Sequence, residues 1–399
     1  MQEEKFPYID RLDETVLDEA ILRFGTPTYV FDVEQAKKRA RAFRGIIGQA
    51  ADLCYAMKAN PFLVRAMAEE VNRIEVCSMG EFRICKQKEI PAEKLLISGV
   101  MKDRDDLWEI LETYGNCCHY TIESLNQYAI LNEWARSSGK KVPVYLRLTS
   151  GNQFGMDEET LTNIVELEQD KDLLEICGIH YFSGTQKKRK KTLEELTYLD
   201  EVFARLKEKT GYQVTELEYG PGLAVPYFAR QADERFETLE AIADALAKMQ
   251  WQGKVTLEMG RAFVADCGYY ITTVKDTKRS GDQNYCIIDG GMHQVNYDGQ
   301  IRGMYQPKLT IRPQGARGIY QNWTICGELC TRNDILVQNI KIDDLRVGST
   351  IIFENTGAYA VTEGMALFLS HVLPAVVLYD PVGGFTQVRA RRETYVWNS

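Results

Sequence analysis

The sequence predicts an α/β protein in which a (β/α)₈ TIM barrel precedes a C-terminal, mostly antiparallel β domain of sandwich-like or barrel-like form. Between about residues 50 and 260, eight short apolar runs alternate with amphipathic helical patterns, as in a parallel-stranded barrel. After Gly260 the helical patterns give way to short β-rich pieces joined by Gly, Asp and Asn turns. The 399 residues, 45% of them hydrophobic, suffice for one large and one smaller domain.

The barrel prediction depends on eight runs that are apolar at successive positions. Such runs are typical of strands covered by helices on one side and by a barrel interior on the other. Four of the intervening stretches have a clear helical period: DDLWEILETY, SLNQYAILNEWARSSG, LEELTYLDEVFARLKEKTG and RFETLEAIADALAKMQ. The predicted strands are LCYAMKA (53–59), RIEVCS (73–78), KLLISG (94–99), HYTIES (119–124), VPVYLRLT (142–149), EICGIHYF (175–182), TELEYG (215–220) and VTLEMG (255–260).

Composition and charge exclude several classes of function. A formal net charge of −9 opposes nucleic-acid binding, which favours a basic face. No apolar stretch reaches the roughly 18 residues of a membrane span, and the first residues, MQEEKFPYIDRLDE, lack the pattern of a signal peptide. The ten cysteines are therefore expected to be free thiols in a reducing, cytoplasmic compartment. None forms a C-x-x-C pair, so no metal site is expected.

The C-terminal ends of the predicted strands, where a barrel carries its active site, hold a set of residues suited to one cofactor. The amine of Lys58 ends the first strand and can form an imine with an aldehyde. The glycine-rich turns FSGTQ and YGPGLAVPY bring backbone N–H groups close to an anion, and each precedes a possible helix N-terminus. Glu258 on the last strand can keep a heterocyclic nitrogen protonated. Together these features indicate pyridoxal 5′-phosphate (PLP).

Six motifs, in order and spacing, resemble those of the diaminopimelate and ornithine decarboxylases, which are fold type III PLP enzymes with an alanine-racemase-like barrel. The motifs are YAMKAN, HYFSGTQ, EYGPGLAVPY, EMGR, GELCTRND and TGAYAV. The resemblance covers nearly the whole chain and implies a PLP-dependent α-decarboxylase of amino acids. It also implies that residues 1–27 join the β domain, that residues 28–265 form the barrel and that residues 266–399 form the β domain.

The resemblance implies a role for each matching residue. Lys58 would form the aldimine with PLP, and Glu258 would pair with the pyridine nitrogen and support the quinonoid left by CO₂ loss. Cys330, from the partner subunit of a homodimer with shared sites, would protonate Cα, and Asp334 nearby would meet substrate. From the residues alone, Cys330 can instead be an inert packed thiol, and His180 is either catalytic or a satisfied core imidazole. The phosphate would be held by Gly184, Thr185, Gly220, Gly222, Gly260, Arg261 and Tyr359.

Three departures from the family pattern bear on the substrate. Phe182 stands where the family usually stacks a histidine on the cofactor ring. Thr331 follows Cys330, where the basic-amino-acid decarboxylases carry an acidic residue for the distal ammonium. Losing that partner would cost about 1–3 kcal/mol, although Asp334 keeps such substrates possible. The stretch DGGMHQVNYDGQ (289–300), with His293 as a candidate substrate residue, resembles the branch that includes the butirosin-pathway decarboxylase of glutamyl-carrier protein.

A basic run, KKRKK at 187–191, directly follows the FSGTQ turn and precedes a predicted helix, where the helix dipole disfavours cations. This position suits the docking of an acidic acyl or peptidyl carrier protein that delivers a tethered substrate. The alternative is a solvated charge run balanced by the glutamates that follow.

Three other functions compete with decarboxylation of a free or carrier-tethered amino acid. An amino acid racemase on the same fold usually has an arginine at the pyridine nitrogen, in place of Glu258. A non-catalytic PLP-binding protein would be a bare barrel without the β domain that carries Cys330 and Tyr359. A class I aldolase would use Lys58 without PLP. Within the decarboxylases, a diaminopimelate- or ornithine-type activity remains the nearest alternative.

Overall fold

The computed structural model describes residues 6, 7, 9–315 and 318–399. They form two compact units. The barrel unit contains Ala40–Val225 and Glu234–Ala262, and the β unit contains the residues up to Arg39 together with Pro226–Asp233 and Phe263–Ser399.

The strands of the described residues are, in chain order, β1 (Thr28–Asp32), β2 (Asp52–Ala56), β3 (Arg73–Val76), β4 (Leu95–Ile97), β5 (His119–Ile122), β6 (Val142–Leu148), β7 (Leu174–Phe182), β8 (Glu216–Gly220), β9 (Lys254–Met259), β10 (Gly268–Ser280), β11 (Gln283–Ile288), β12 (Leu309–Arg312), β13 (Tyr320–Cys326), β14 (Ile335–Asp343), β15 (Thr350–Glu354), β16 (Ala375–Asp380) and β17 (Gly384–Arg389).

The α-helices are α1 (Glu14–Phe24), α2 (Val33–Ile47), α3 (Val64–Glu70), α4 (Met79–Gln87), α5 (Arg104–Tyr114), α6 (Leu125–Ser138), α7 (Glu158–Lys171), α8 (Arg189–Thr210), α9 (Arg235–Leu246) and α10 (Arg261–Val264).

The barrel unit is a closed cylinder of eight parallel strands, and it confirms the predicted fold class. Strands β2 to β9 pair in sequence order, and β9 closes the ring by pairing with β2. Each of the eight predicted runs overlaps one of these strands. β6 shows why the runs are mostly apolar, since all seven of its residues are buried. The register sets Cys54 beside Glu258, which brings the ends of the first and last strands together.

The helices that cover the barrel begin and end at the expected signals. α6 is capped by the Ser124 side chain, which accepts a hydrogen bond from the Gln127 backbone N–H. It ends at Gly139, whose φ of 68° is the left-handed conformation that glycine adopts without strain. α8 is different, because its first residue follows Lys188, which offers no side-chain cap.

The β unit is a mixed sheet in which antiparallel pairing predominates. Its main path runs β14-β13-β11-β10-β1-β16-β17, with β15 beside β10 and β12 beside β15. The parallel pairs are β1 with β16 and β11 with β13. Because β1 pairs with β10 and β16, residues 28–32 belong to this sheet. The boundary that we predicted at residue 28 therefore differs from the observed division, and the other domain limits stay a prediction.

Among the described residues, none of the helices combines the length and the apolar character that crossing a bilayer requires.

Candidate active site

Lys58 lies directly after β2, in a short 3₁₀ turn formed by Met57–Ala59. The turn is closed by the Asn60 N–H, which donates to the Met57 carbonyl at 3.0 Å, and the Tyr55 hydroxyl donates to the Asn60 carbonyl at 2.9 Å. Met57 and Ala59 are buried, whereas the Lys58 side chain is 37% exposed. The fold therefore holds the backbone of Lys58 rigidly and leaves its amine accessible.

Two buried carboxylates face the Lys58 amine. Its Nζ donates to Glu75 Oε2 and lies 3.9 Å from Glu258 Oε1. The two side chains are only 3% and 5% exposed, so the ammonium compensates charges that water does not reach. Cys77 Sγ is 3.4 Å from the same nitrogen, but burial and the Glu75 charge raise the pKa of this thiol well above its ordinary value. Glu75 and Cys77 were not among the predicted site residues, although both lie in the RIEVCS run.

A second lysine of the barrel, Lys102, has an amine that could also form an imine, but its side chain is buried. Burial lowers the pKa of its ammonium to about 8, and Glu123 opposes that shift. Its Nζ donates to the Gly99 carbonyl at 2.6 Å and to Thr121 Oγ1 at 3.0 Å, and its side chain is 3% exposed. Accessibility therefore distinguishes Lys58 from Lys102.

His180 and Glu258 form a buried pair on β7 and β9. His180 Nε2 is 2.9 Å from Glu258 Oε2, and the imidazole is 1% exposed. Burial, helped by the Arg147 charge, lowers the pKa of His180 to about 3. The ring is therefore neutral at physiological pH, which fits a donor that orients Glu258 better than a general acid.

The two glycine-rich turns pack so closely that side chains are excluded. A Cβ added to Gly222 (φ 60°) would lie 2.1 Å from the Gly184 carbonyl oxygen, and one added to Gly220 would lie 2.4 Å from the Phe182 ring. Thr185 beside them is exposed. α8 begins at Arg189, shortly after the first turn, as expected. No helix begins directly after the second turn, since the next helix, α9, starts only at residue 235, which corrects our expectation.

Lys187 links these two turns by hydrogen bonds, a role that its position in the basic run did not indicate. Its Nζ donates to Glu195 Oε2 at 2.5 Å, to Ser183 Oγ at 3.1 Å and to the Gly220 carbonyl at 3.2 Å. Ser183 and the Tyr219 hydroxyl also donate to the Glu195 carboxylate. The Lys187 side chain is 7% exposed, and burial lowers the pKa of its ammonium. Lys187 is thus structural, which corrects its place in a surface charge run.

The remaining predicted site residues of the barrel unit lie at the end of β9. Gly260 packs against the first strand, since an added Cβ would lie 2.8 Å from Ala59 Cβ. Arg261 is half-buried and begins α10. Both therefore lie next to the turn that carries Lys58.

The β unit carries the other predicted residues. Cys330 is exposed and Thr331 is half-buried. Asp334 is 2% exposed, and its carboxylate accepts from the backbone N–H groups of Met292 at 2.7 Å and Leu329 at 2.9 Å. Tyr359 is half-buried with a φ of 65°, and its carbonyl accepts from Thr362 and Glu363.

The barrel residues fit PLP. The Lys58 amine is accessible beside Glu258, and Gly222 keeps its turn free of a side chain, as a backbone cradle for an anion requires. Two buried polar atoms, Arg147 Nε and His180 Nδ1, have no hydrogen-bond partner among the described residues. Such atoms at a site are typical of groups that await a ligand.

Comparisons with known proteins agree with this chemistry. Residues 33–265, more than half of the chain, match a family model described as pyridoxal-dependent decarboxylase, pyridoxal binding domain. The L-glutamyl-[BtrI acyl-carrier protein] decarboxylase of Niallia circulans is 26% identical over 394 residues and covers 92% of each chain. The diaminopimelate decarboxylase of Aquifex aeolicus is 27% identical over 88% of each chain. A crystal structure of the M. jannaschii diaminopimelate decarboxylase with L-lysine has the same fold (TM-score 0.85, 23% identity, 94% of this chain and 92% of that one).

We predict that Lys187→Met destabilises the protein by about 3–5 kcal/mol, because it leaves the buried Glu195 carboxylate without its cation. The matched variant Lys190→Met should change little, since Lys190 is 87% exposed. The double variant Lys187→Met/Glu195→Met should recover most of the loss. Urea unfolding measures the stability of all three variants. Equal stabilities of the two single variants would contradict a stabilising buried ion pair between Lys187 and Glu195.

Proposed function

Because this chain belongs to the family of pyridoxal-dependent decarboxylases, we propose that it removes the α-carboxylate of an amino acid as CO₂ while PLP is bound through Lys58. The observation that supports this most strongly is the accessible Lys58 amine beside the buried Glu258 carboxylate, at the C-terminal ends of two paired barrel strands. The amine matches the aldehyde of the cofactor, and the carboxylate matches its ring nitrogen.

When bound, PLP supplies a ring that accepts the electron pair released as the bond from Cα to the carboxylate breaks. In our proposal Glu258 keeps the ring nitrogen protonated, and the neutral His180 is a positioning residue that donates to Glu258. The glycines at 184, 220 and 222, with Thr185, Gly260, Arg261 and Tyr359, would hold the phosphate, and Phe182 would contact the ring.

The proton that replaces the carboxylate at Cα needs a donor that is not itself buried. We assign this step to the thiol of Cys330, which is exposed in the β unit. In a homodimer with shared sites, Cys330 of one protomer serves the barrel of its partner, so that neither protomer is complete alone.

The substrate that we propose is an aminoacyl group tethered to an acidic carrier protein. Thr331 gives no charge for a distal ammonium, and both oxygens of Asp334 are used by backbone donors. A free distal ammonium would therefore find no charge at Thr331, and at Asp334 only a carboxylate that is 2% exposed and already accepts two backbone hydrogen bonds. The basic cluster, which we define as Lys188, Arg189, Lys190 and Lys191, is exposed. It opens α8, where cations cost about 0.3–1 kcal/mol each, so a docking role would explain its position.

A second candidate is a free basic amino acid. The similarity to the diaminopimelate decarboxylase of Aquifex aeolicus favours it. The N. circulans relative, named for a glutamyl carrier-protein substrate, has similar coverage and favours the tethered substrate.

We predict CO₂ release from a glutamyl thioester of an acyl-carrier protein at a higher kcat/KM than from free glutamate, diaminopimelate, ornithine or lysine. The basic cluster, changed to alanine at all four positions, should raise KM for the tethered substrate at least about tenfold. The same variant should leave KM for free substrates unchanged. Lys207→Ala/Lys209→Ala, at the other end of the same helix, is the matched control. Preference for a free basic amino acid would contradict the proposal. Equal effects of the alanine variant on KM for tethered and free substrates would contradict it as well. Racemisation without CO₂ release would indicate an amino acid racemase instead.

A complementation experiment tests the shared site. Lys58→Ala and Cys330→Ala should each be inactive, but a mixture of the two, unfolded and refolded together, should regain about a quarter of wild-type activity. Half of the dimers are then mixed, and each holds one complete site of two. A mixture as inactive as its parents would show that Lys58 and Cys330 act within one protomer.

A further inference from the structure

The β unit brings two imidazoles and a carboxylate together from three distant parts of the chain. His293 follows β11, Glu328 lies between β13 and β14, and His371 precedes β16. Their ligating atoms all lie within 4.8 Å of one another. Glu328 Oε1 is central, at 3.4 Å from His293 Nε2 and 3.3 Å from His371 Nδ1. The chain has four histidines, and this cluster holds two of them.

The His293 imidazole indicates that the cluster awaits a ligand. Its side chain is 1% exposed, and neither Nδ1 nor Nε2 has a hydrogen-bond partner among the described residues. Leaving a buried polar group unsatisfied costs about 1–3 kcal/mol, so folding does not favour this arrangement without a compensating interaction.

The backbone around the three side chains is already fixed. The Glu328 N–H donates to the Gly290 carbonyl at 2.7 Å, and Asp334 ties the same two loops through Met292 and Leu329. Gln294 Nε2 donates to the Val372 carbonyl at 2.8 Å, which joins the loop of His293 to the segment of His371. The three donors are therefore held in place before any ligand arrives.

We propose that His293, Glu328 and His371 bind a divalent transition metal ion of the Zn²⁺ class. Two imidazoles and one carboxylate are a ligand set that such ions use, usually with a fourth position open. Tetrahedral donors about 2.1 Å from Zn²⁺ lie about 3.4 Å apart, which matches the two distances to Glu328 Oε1. Glu328 and His371 are 30% and 27% exposed, so the open position faces solvent.

Such an ion would stabilise the loop that carries Cys330, because Glu328 lies two residues before it. The ion would also bind Nε2 of His293, one of the two ring nitrogens that have no hydrogen-bond partner among the described residues. The three ligands are 35 and 43 residues apart in the sequence (328 minus 293 and 371 minus 328). Because such separations form no recognisable spacing motif, the sequence did not predict a metal site.

The test is Zn²⁺ binding to the PLP-loaded protein after chelator treatment and dialysis. Calorimetry should show one Zn²⁺ per chain, and Zn²⁺ should raise the melting temperature. Glu328→Gln and His371→Gln, which preserve size and polarity, should each lower the Zn²⁺ affinity by more than about tenfold and remove the thermal shift. Circular dichroism verifies that both variants are folded.

His119→Asn, which changes a histidine of the barrel unit, is the control and should bind Zn²⁺ like the wild type. Absence of stoichiometric binding would overturn the proposal. Equal binding by wild type, Glu328→Gln and His371→Gln would overturn it as well, because the ion would then be held by thiols elsewhere. Neither readout involves turnover, so this result is independent of the proposed decarboxylation.

Discussion

The ionic contact at the barrel mouth is the interaction on which the candidate site depends. Two carboxylates, Glu75 and Glu258, are almost completely buried and need compensation in a medium of low dielectric constant. The Lys58 ammonium compensates the first, and the neutral His180 donates to the second. Because β2 and β9 close the barrel by pairing with each other, the amine and the hydrogen-bonded carboxylate are fixed side by side.

A second buried ion pair organises the neighbouring turns. Lys187 and Glu195 join the loop after β7 to the end of β8, where the glycines leave space only for backbone. In this pair, as in the pair of Lys58 with Glu75, a lysine compensates the charge of an almost completely buried carboxylate. The barrel mouth is therefore preorganised by electrostatics around two glycine-rich turns and an accessible amine.

The sequence predicted the eight barrel strands and the meeting of Lys58, His180 and Glu258, because strand ends in a closed barrel share one rim. It did not predict Glu75 as the partner of Lys58, since an apolar run does not show which residue faces inward. The burial of Lys187 was hidden within a run of like charges, and only the tertiary position of Glu195 reveals it. Asp334 stays a predicted substrate residue, and its contact with the Met292 backbone could not be predicted because the two lie 42 residues apart in the sequence. Residues 28–32 were predicted to begin the barrel domain, but they form β1 of the β unit. Their pairing partner β16 lies near the other end of the chain, which the local sequence does not show.

The central claim is that Lys58, and no other lysine, carries the cofactor. Borohydride reduction of the PLP-loaded protein, followed by peptide mass mapping, tests it most directly, because reduction makes the link to the cofactor permanent. We predict a single modified lysine, at position 58. Modification at Lys102, a barrel amine whose pKa burial lowers to about 8, or no modified peptide at all, would contradict it.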